Sequence, residues 1–557
     1  MTDLKIPVGI SDFAKIRNYD YYYVDKTGLI EDLLENETAE VTLIIRPRRF
    51  GKTMGMSMLA NFFDIRKDSK AMFAGLEISK NAALCKEWMN QWPVVFLSFK
   101  NIDGDKFSLA YQQMVYEIGL LYDSYSELLT SNKLSEDDKA LFLQLKRRTA
   151  NEIDVLRSIQ FLLSLLYKHY GKTVILLLDE YDVPLAKSSA HGYYPDMLNV
   201  IKSMMTTSLK DNNTLRFAVI TGCLRIAKES IFTGTNNFVS DTISSSHLNE
   251  YFGFTQADVD QILKDADCME HADDIKNWYD GYHFGDLDVY CPWDVMNYLR
   301  DLQRNPKAKP ASYWKNTSDN SIIRSFIDYA GHSISRKLEI LLSGGYILQR
   351  IEENLTYDYL HSSEENLWSI LYLTGYLTQA REEDLPEPLP EGSSALMIPN
   401  AEVREIFETT IQKWFDESAQ TWNRKALFDA VWSGDTETLT KEMNKLLRKT
   451  ISYHDYREDF YHAFLAGIFA GAGYEVDSNK EHGEGRSDVV VLDPEGDRVA
   501  IFEAKYSRTQ DAIPRDCAAA LQQIEDRQYA KEFEEDYDSL LCYGIAFYKK
   551  RCLVQTK

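Results

Sequence analysis

Residues 41–63, VTLIIRPRRFGKTMGMSMLANFF, constrain this chain more than any other stretch. VTLII is apolar and β-branched, so it predicts a buried strand. MGMSMLANFF (54–63) predicts a helix directly after the loop. Strand, loop and helix in that order put Gly51, Lys52 and Thr53 at a helix N-terminus, where backbone N–H groups and the helix dipole favour phosphate. A regular phosphate-binding loop is G-x-x-x-x-G-K-[ST], its lysine reaching the β/γ-phosphates and its hydroxyl ligating Mg²⁺. Here Arg46 occupies the first glycine position and Pro47-Arg48-Arg49-Phe50 fill the span. That change removes a positive-φ option and adds charge beside the phosphates. Arg46, Arg48 and Arg49 either offset phosphate charge or bind something else. A Gly-Lys-Thr alone is equally what an ordinary helix cap looks like.

A second stretch shifts the balance. ILLLDEYD (175–182) is an apolar strand ending in Asp179-Glu180. An Asp at the C-terminal end of a parallel strand is where a Mg²⁺ carboxylate belongs, and Glu180 next to it is placed to orient or deprotonate an attacking water. An acidic turn after a core strand is the plain alternative. It is common for one motif and improbable for two in the right order. A third strand, RFAVITGCLRI (216–226), brings Thr221 to its end as a γ-phosphate sensor. Arg225 follows, either to stabilise developing charge or as a plain surface arginine.

These stretches, together with FAKIRNYDYYYVDKTGLI (13–30), VITGCLRIAKESIFTGTNN (219–237), YFGFT (251–255) and WYDGYHFG (278–285), resemble the bacterial AAA-ATPase-like proteins. Those are P-loop ATPases usually fused to a C-terminal PD-(D/E)XK nuclease-like domain, and the resemblance covers almost the whole chain. In that family RPRRFGKT is the habitual loop. The resemblance implies an α/β fold: a P-loop NTPase domain with a parallel sheet (1–300), a helical lid or connector (301–454), and a restriction-endonuclease-like α/β domain (455–557). It implies ATP and Mg²⁺ as cofactors, held by Arg46, Gly51, Lys52, Thr53, Asp179, Thr221 and Arg225. It would also set the tyrosines of 19–30 near the adenine, although aromatic packing under the sheet accounts for most of them. NWYDGYHFG (277–285), with Asp280, reads as structural.

The C-terminal region carries a second constellation. EGRSDVVVLDPEGDRVAIFEAKY (484–506) is two β-rich runs about a turn. If 494–497 form the loop, Asp493 pairs with Arg498, and counting outward sets Asp488 opposite Glu503. Carboxylates directly across strands have Cβ atoms only about 5 Å apart, so a cation or a raised pKa is expected. Lys505 projects on the same face as Glu503. Asp488 and Glu503 would hold Mg²⁺, and Lys505 would position or activate water beside a scissile phosphate. A solvent-facing hairpin with surface charges is the alternative. The resemblance adds Gln523 and Tyr529, matching the family's Q-x(5)-Y on a helix expected over 521–533. On a helix over 458–474, Glu458 or His462 could complete the site, although a surface carboxylate and a capping or core histidine are the commoner roles for such residues.

Composition limits the partners. Net charge is −24 over 557 residues, which argues against coating nucleic acid through bulk electrostatics. Residues 455–557 hold 13 Lys and Arg against 21 Asp and Glu, so contact with DNA or RNA is expected to be small, metal-dependent or gated by the ATPase. Apolar runs reach only about six residues, against roughly 18–20 for a bilayer span, so no membrane partner is expected. Seven scattered cysteines form no C-x-x-C pair and the N-terminus shows no signal peptide, which fits a reduced cytoplasm. An oligomer is compatible with the sequence. Two functions compete: an ATP-hydrolysing protein coupled to a Mg-dependent nuclease, and a nucleotide-switched signalling or interaction protein whose C-terminal domain binds without cutting.

Overall fold

The computed structural model describes residues 4–35, 39–225, 238–314, 337–355 except 339, 363–420 except 382, 384 and 387, 425–450, and 461–557 except 462, 463, 467, 470–473, 479, 480, 483, 484, 487, 494, 495 and 535. Two compact units emerge: Met1–Ser318 with Leu348–Arg404, and Asp319–Ile347 with Glu405–Lys557.

The first unit is built on a five-stranded sheet. Its strands are β1 (Val41–Ile45), β2 (Val94–Ser98), β3 (Val174–Asp179), β4 (Leu215–Gly222) and β5 (Phe238–Asp241), in the order β2-β3-β4-β1-β5. Every pairing is parallel. Parallel strands covered on both faces read as continuous apolar runs, and all six residues of β3 are buried. The three strands expected from sequence form as β1, β3 and β4, and β2 is a further apolar run; β5, with only Phe and Val as apolar residues, was not anticipated. Helix α1 (Lys52–Phe63) starts at the lysine of the loop. The apolar-periodic stretch 152–170 forms two helices: Glu152–Leu156 and Ser158–Tyr170 flank Arg157, which leaves helical geometry at φ −99°, ψ 3°.

Helix α2 (Pro292–Arg304) follows the hairpin Tyr282–Phe284/Leu287–Val289. The middle region is helical, with α3 (Glu364–Leu373) and α4 (Ala401–Gln420), and it also holds a short antiparallel pair, Thr378–Gln379 with Ser394–Met397.

The second unit carries helices α5 (Lys425–Ser433) and α6 (Thr436–Thr450), then a mixed sheet of β6 (Glu475–Ser478), β7 (Val489–Asp493), β8 (Arg498–Tyr506), β9 (Ser539–Tyr548) and β10 (Arg551–Thr556) in sequential order. Helix α7 (Ile513–Asp526) makes the crossover between the parallel strands β8 and β9. Period-two alternation divides the sheet's faces. Val489, Val491, Ala500 and Phe502 pack in one core with Leu427, Val431 and Leu447 from α5 and α6, whereas Val490, Val499 and Ile501 pack with Ile524 and Tyr529. Helices expected to belong to the connector therefore cover the back of the C-terminal sheet. Asn444 bonds both backbone groups of Cys552 at 2.9 Å.

Candidate functional site

The order of the first sheet explains the site. Strand β4 lies between β1 and β3, so the phosphate loop and the acidic strand end are two strand spacings apart, roughly 10 Å. The end of β4 fills the gap. Thr221 Oγ1 donates to Asp179 Oδ1 at 2.6 Å and accepts from the Glu180 backbone N–H at 3.3 Å. Asp179 Oδ2 accepts from Thr53 Oγ1 at 2.9 Å and from Ser98 Oγ at 3.3 Å. Three other chain segments thus converge on one fully buried carboxylate. Ser98 was missed in the sequence; its signal was its place at the end of the apolar run PVVFLS.

Lys52 is 4% exposed, and its Nζ donates to the carbonyls of Arg46 at 2.9 Å and Pro47 at 2.8 Å. Gly51 caps α1 at φ 88°, the left-handed geometry glycine adopts without strain. Glu180 is also left-handed, at φ 54°. Burial raises its carboxyl pKa, opposed by Lys52 and reinforced by Asp179 and Asp182. A cavity of about 310 Å³ is lined by Lys52, Thr53 and Glu180 and by the rings of Tyr22, Tyr23 and Trp293. Tyr22 and Tyr23 line the cavity and also pack, Tyr22 bonding Asp265 at 2.8 Å and Tyr23 lying edge-on against Phe13.

The arginines separate. Arg46 is wholly buried and turned into the sheet, paired with the Asp241 carboxylate at the end of β5 and bonded to the carbonyls of Ile45 and Asp241. Its guanidinium lies 5.6 Å from the Phe252 and Phe284 ring centres. Arg46 therefore ties β1 to β5 instead of facing the cavity. Arg49 does line the cavity. Arg225 is half-buried, and its Nε makes no hydrogen bond among the described residues. Asp182, missed in the sequence, accepts from the backbone N–H groups of Cys223 and Leu224 and so anchors the turn after β4.

The hairpin register of the C-terminal sheet is the one counted from sequence. Asp493 pairs with Arg498 and Val489 with Phe502, so Asp488 falls beside Glu503. Asp488 Oδ2 accepts from the Ala504 backbone N–H at 2.7 Å. Glu503 is 1% exposed although it lies on a core strand. Its Oε1 accepts from the Gln523 amide and lies 3.5 Å from Lys505 Nζ. Helix α7 ends at Asp526, not within 521–533 as one element. Gln528 turns left-handed at φ 55° and a 3₁₀ turn carries Tyr529. On a straight helix, six residues rotate roughly 240°, which would separate Gln523 from Tyr529. The break brings them together: the Tyr529 phenol pKa is raised by burial, and further by Glu503 and Asp488, against a hydrogen bond with Gln523. Glu458 and His462 lie outside the described residues. Among the described residues no group of three or more His, Cys, Asp or Glu side chains is arranged to hold a metal, and no helix is long and apolar enough to cross a membrane.

Residues 7–232 match the family described as predicted AAA-ATPase, and residues 456–557 match the PD-(D/E)XK nuclease superfamily. The chain is also 25% identical over 572 residues to an "uncharacterized protein in vnfD 5'region" of Azotobacter chroococcum mcd 1, covering 98% of this chain and 97% of that protein. One polypeptide thus joins a region similar to the predicted AAA-ATPases to a region similar to the PD-(D/E)XK nuclease superfamily.

Proposed function

We propose that the chain binds and hydrolyses ATP at the loop of Lys52 and Thr53, and that this site is coupled to a Mg-dependent phosphodiester-cleaving site at Asp488, Glu503 and Lys505 acting on nucleic acid. The observation that carries the reading is the convergence of Thr53, Ser98 and Thr221 on Asp179, beside a cavity lined by Lys52 and Glu180. The donors on Asp179 and Thr53 are all oxygen, which suits a magnesium ion that takes most of its other ligands from substrate phosphates and water. When bound there, Mg²⁺ would neutralise charge on the transferring phosphate. Lys52 would exchange its carbonyl partners for phosphate oxygens. Glu180 would accept a proton from the attacking water.

In the C-terminal domain Asp488 and Glu503 would hold the ion. Lys505 would orient water toward the phosphate, and Gln523 would fix the Glu503 carboxylate. The reading keeps an ATPase region over 1–300, a connector over 301–454 and a nuclease-like domain from 455. Seven free cysteines accord with a reducing cytoplasm. The second reading, a nucleotide switch with a non-cutting C-terminal domain, draws its support from the net negative charge of residues 455–557. Incubating the full chain with plasmid, single-stranded DNA or RNA and Mg²⁺ or Mn²⁺, with and without ATP, separates them. Metal-dependent cleavage supports the first. Nucleotide binding with every substrate intact supports the second.

A further inference from the structure

Two buried acids lie close enough to the phosphate loop to act electrostatically on its Arg49. Asp294, in the first turn of α2, and Glu402, at the start of α4, are both fully buried. Glu402 Oε1 accepts from the Trp314 backbone N–H at 2.7 Å. Glu402 Oε2 and both Asp294 carboxyl oxygens meet no nitrogen or oxygen donor side chain among the described residues, and the neighbouring side-chain donor to Asp294 is the weak Cys291 thiol. The two carboxyls lie within hydrogen-bond reach of each other, and only a proton between them can make that bond. Burial raises the pKa of both groups, and the charge of Asp294 raises that of Glu402 further.

One proton leaves the pair a single negative charge. Cys291, Asp294 and Glu402 act electrostatically on Arg49, whose guanidinium carbon lies 5.3 Å from the Trp293 ring centre and 5.9 Å from that of Trp314. Trp293 precedes Asp294 in the chain, and Trp314 bonds Glu402, so each indole carries one acid with it. Arg49 itself is left-handed at φ 74°, a geometry a non-glycine residue keeps only when its surroundings hold it. It lines the same cavity as Lys52 and Thr53. The guanidinium and the path of the loop are therefore set together.

Two glycines let the middle region close on this cluster. A Cβ at Gly375 would meet Pro47 of the loop at 2.9 Å and Trp314 at 3.1 Å; one at Gly281 would meet the Pro399 carbonyl at 2.1 Å. The stretches GYLT (375–378), WYDGYHFG (278–285) and IPNAEV (398–403) supply these contacts.

We propose that Asp294 and Glu402 share one proton and use their remaining charge, as positioning residues, to fix Arg49 and so hold the phosphate loop ready for nucleotide. The proposal rests on the nucleotide reading of the loop. It is tested by ATP calorimetry on the full chain. Glu402→Gln retains a bridging hydrogen and one negative charge, and should bind ATP as wild type does. Asp294→Asn/Glu402→Gln removes the negative charge that acts on the half-buried Arg49, so the guanidinium is no longer held in place and ATP affinity should fall about tenfold or more. Adding Arg49→Ala to the double variant should cost little further affinity, because the acids act through that arginine. Wild-type affinity in the double variant overturns the positioning role, as does a Glu402→Gln loss equal to that of the double.

Infrared spectroscopy needs only the single variant to fold. Wild type should show the carbonyl stretch of a protonated carboxylic acid at neutral pH, lost in Glu402→Gln; its absence from wild type overturns the shared proton. A wild type that binds no nucleotide sinks the loop reading instead, and the infrared result still judges the pair.

Discussion

Thr53 Oγ1 donates to Asp179 Oδ2 at 2.9 Å, joining the first turn of α1 to the end of β3 across 126 residues of sequence. The bond aligns a hydroxyl and a carboxylate where Mg²⁺ and phosphates would sit. Lys52, one residue earlier, is held on two loop carbonyls in a position to turn toward an incoming phosphate.

Lys52→Ala should therefore weaken ATP binding sharply. Hydrogen bonds to a charged group are worth roughly 1.5–3 kcal/mol, so a loss of about ten- to a hundredfold is expected. Isothermal calorimetry measures it. Equal affinities for wild type and variant would remove Lys52 from the site.

Glu180→Gln should bind ATP normally and turn over slowly. The Glu180 carboxyl is raised above its ordinary value of 4.5 chiefly by burial. A base with a raised pKa loses activity as pH falls through that raised value, so the acid limb of kcat/KM should lie above the usual carboxylate range. The variant should lack that limb. A pH profile of ATP hydrolysis with the same limb in both proteins would assign the base elsewhere.

Much of this site was legible because the features that build it are local. Four buried strands announce themselves as apolar runs, and the loop follows one of them directly. The hairpin register could be counted because a four-residue turn and a period of two leave little freedom. The role of Arg46 was hidden. Its place in the loop says that it is near phosphate, but its direction depends on Asp241, 195 residues away on a strand too short to be seen. The Asp294–Glu402 contact has the same origin: neither residue stands out on its helix, and only the fold puts them together. Tyr529 was named only through the resemblance to the family's Q-x(5)-Y. The turn at Gln528 that makes the spacing work carries no strong signal, since a glutamine rarely adopts φ 55°.

Arg46→Ala tests the arginine's structural role. It leaves Asp241 as a buried acid without its cation, and breaking such a pair costs about 3–5 kcal/mol. Chemical denaturation should register that loss. Arg46→Met with Asp241→Asn removes both charges, and it should recover much of the stability and retain ATP affinity. If the double variant is stable but has lost ATP affinity, Arg46 contacts the nucleotide after all.

The C-terminal site makes the sharpest separation of functions. Glu503 is almost fully buried, and its partners are the Gln523 amide and Lys505, with Asp488 next to it across the hairpin. Glu503→Ala should abolish metal-dependent cleavage of nucleic acid while ATP hydrolysis persists, because the two sets of residues belong to different compact units. Gln523→Ala should act through Glu503. The carboxylate loses the donor that orients it, so cleavage should fall and more divalent metal should be needed to restore it. Lys505→Ala should lower turnover without changing the metal requirement, since its role is to orient water. Titrating Mg²⁺ against cleavage for the three variants distinguishes these outcomes. A Gln523→Ala protein with unchanged metal dependence would show that the amide serves the sheet and not the site. Full cleavage by Glu503→Ala would move the chemistry away from the hairpin altogether.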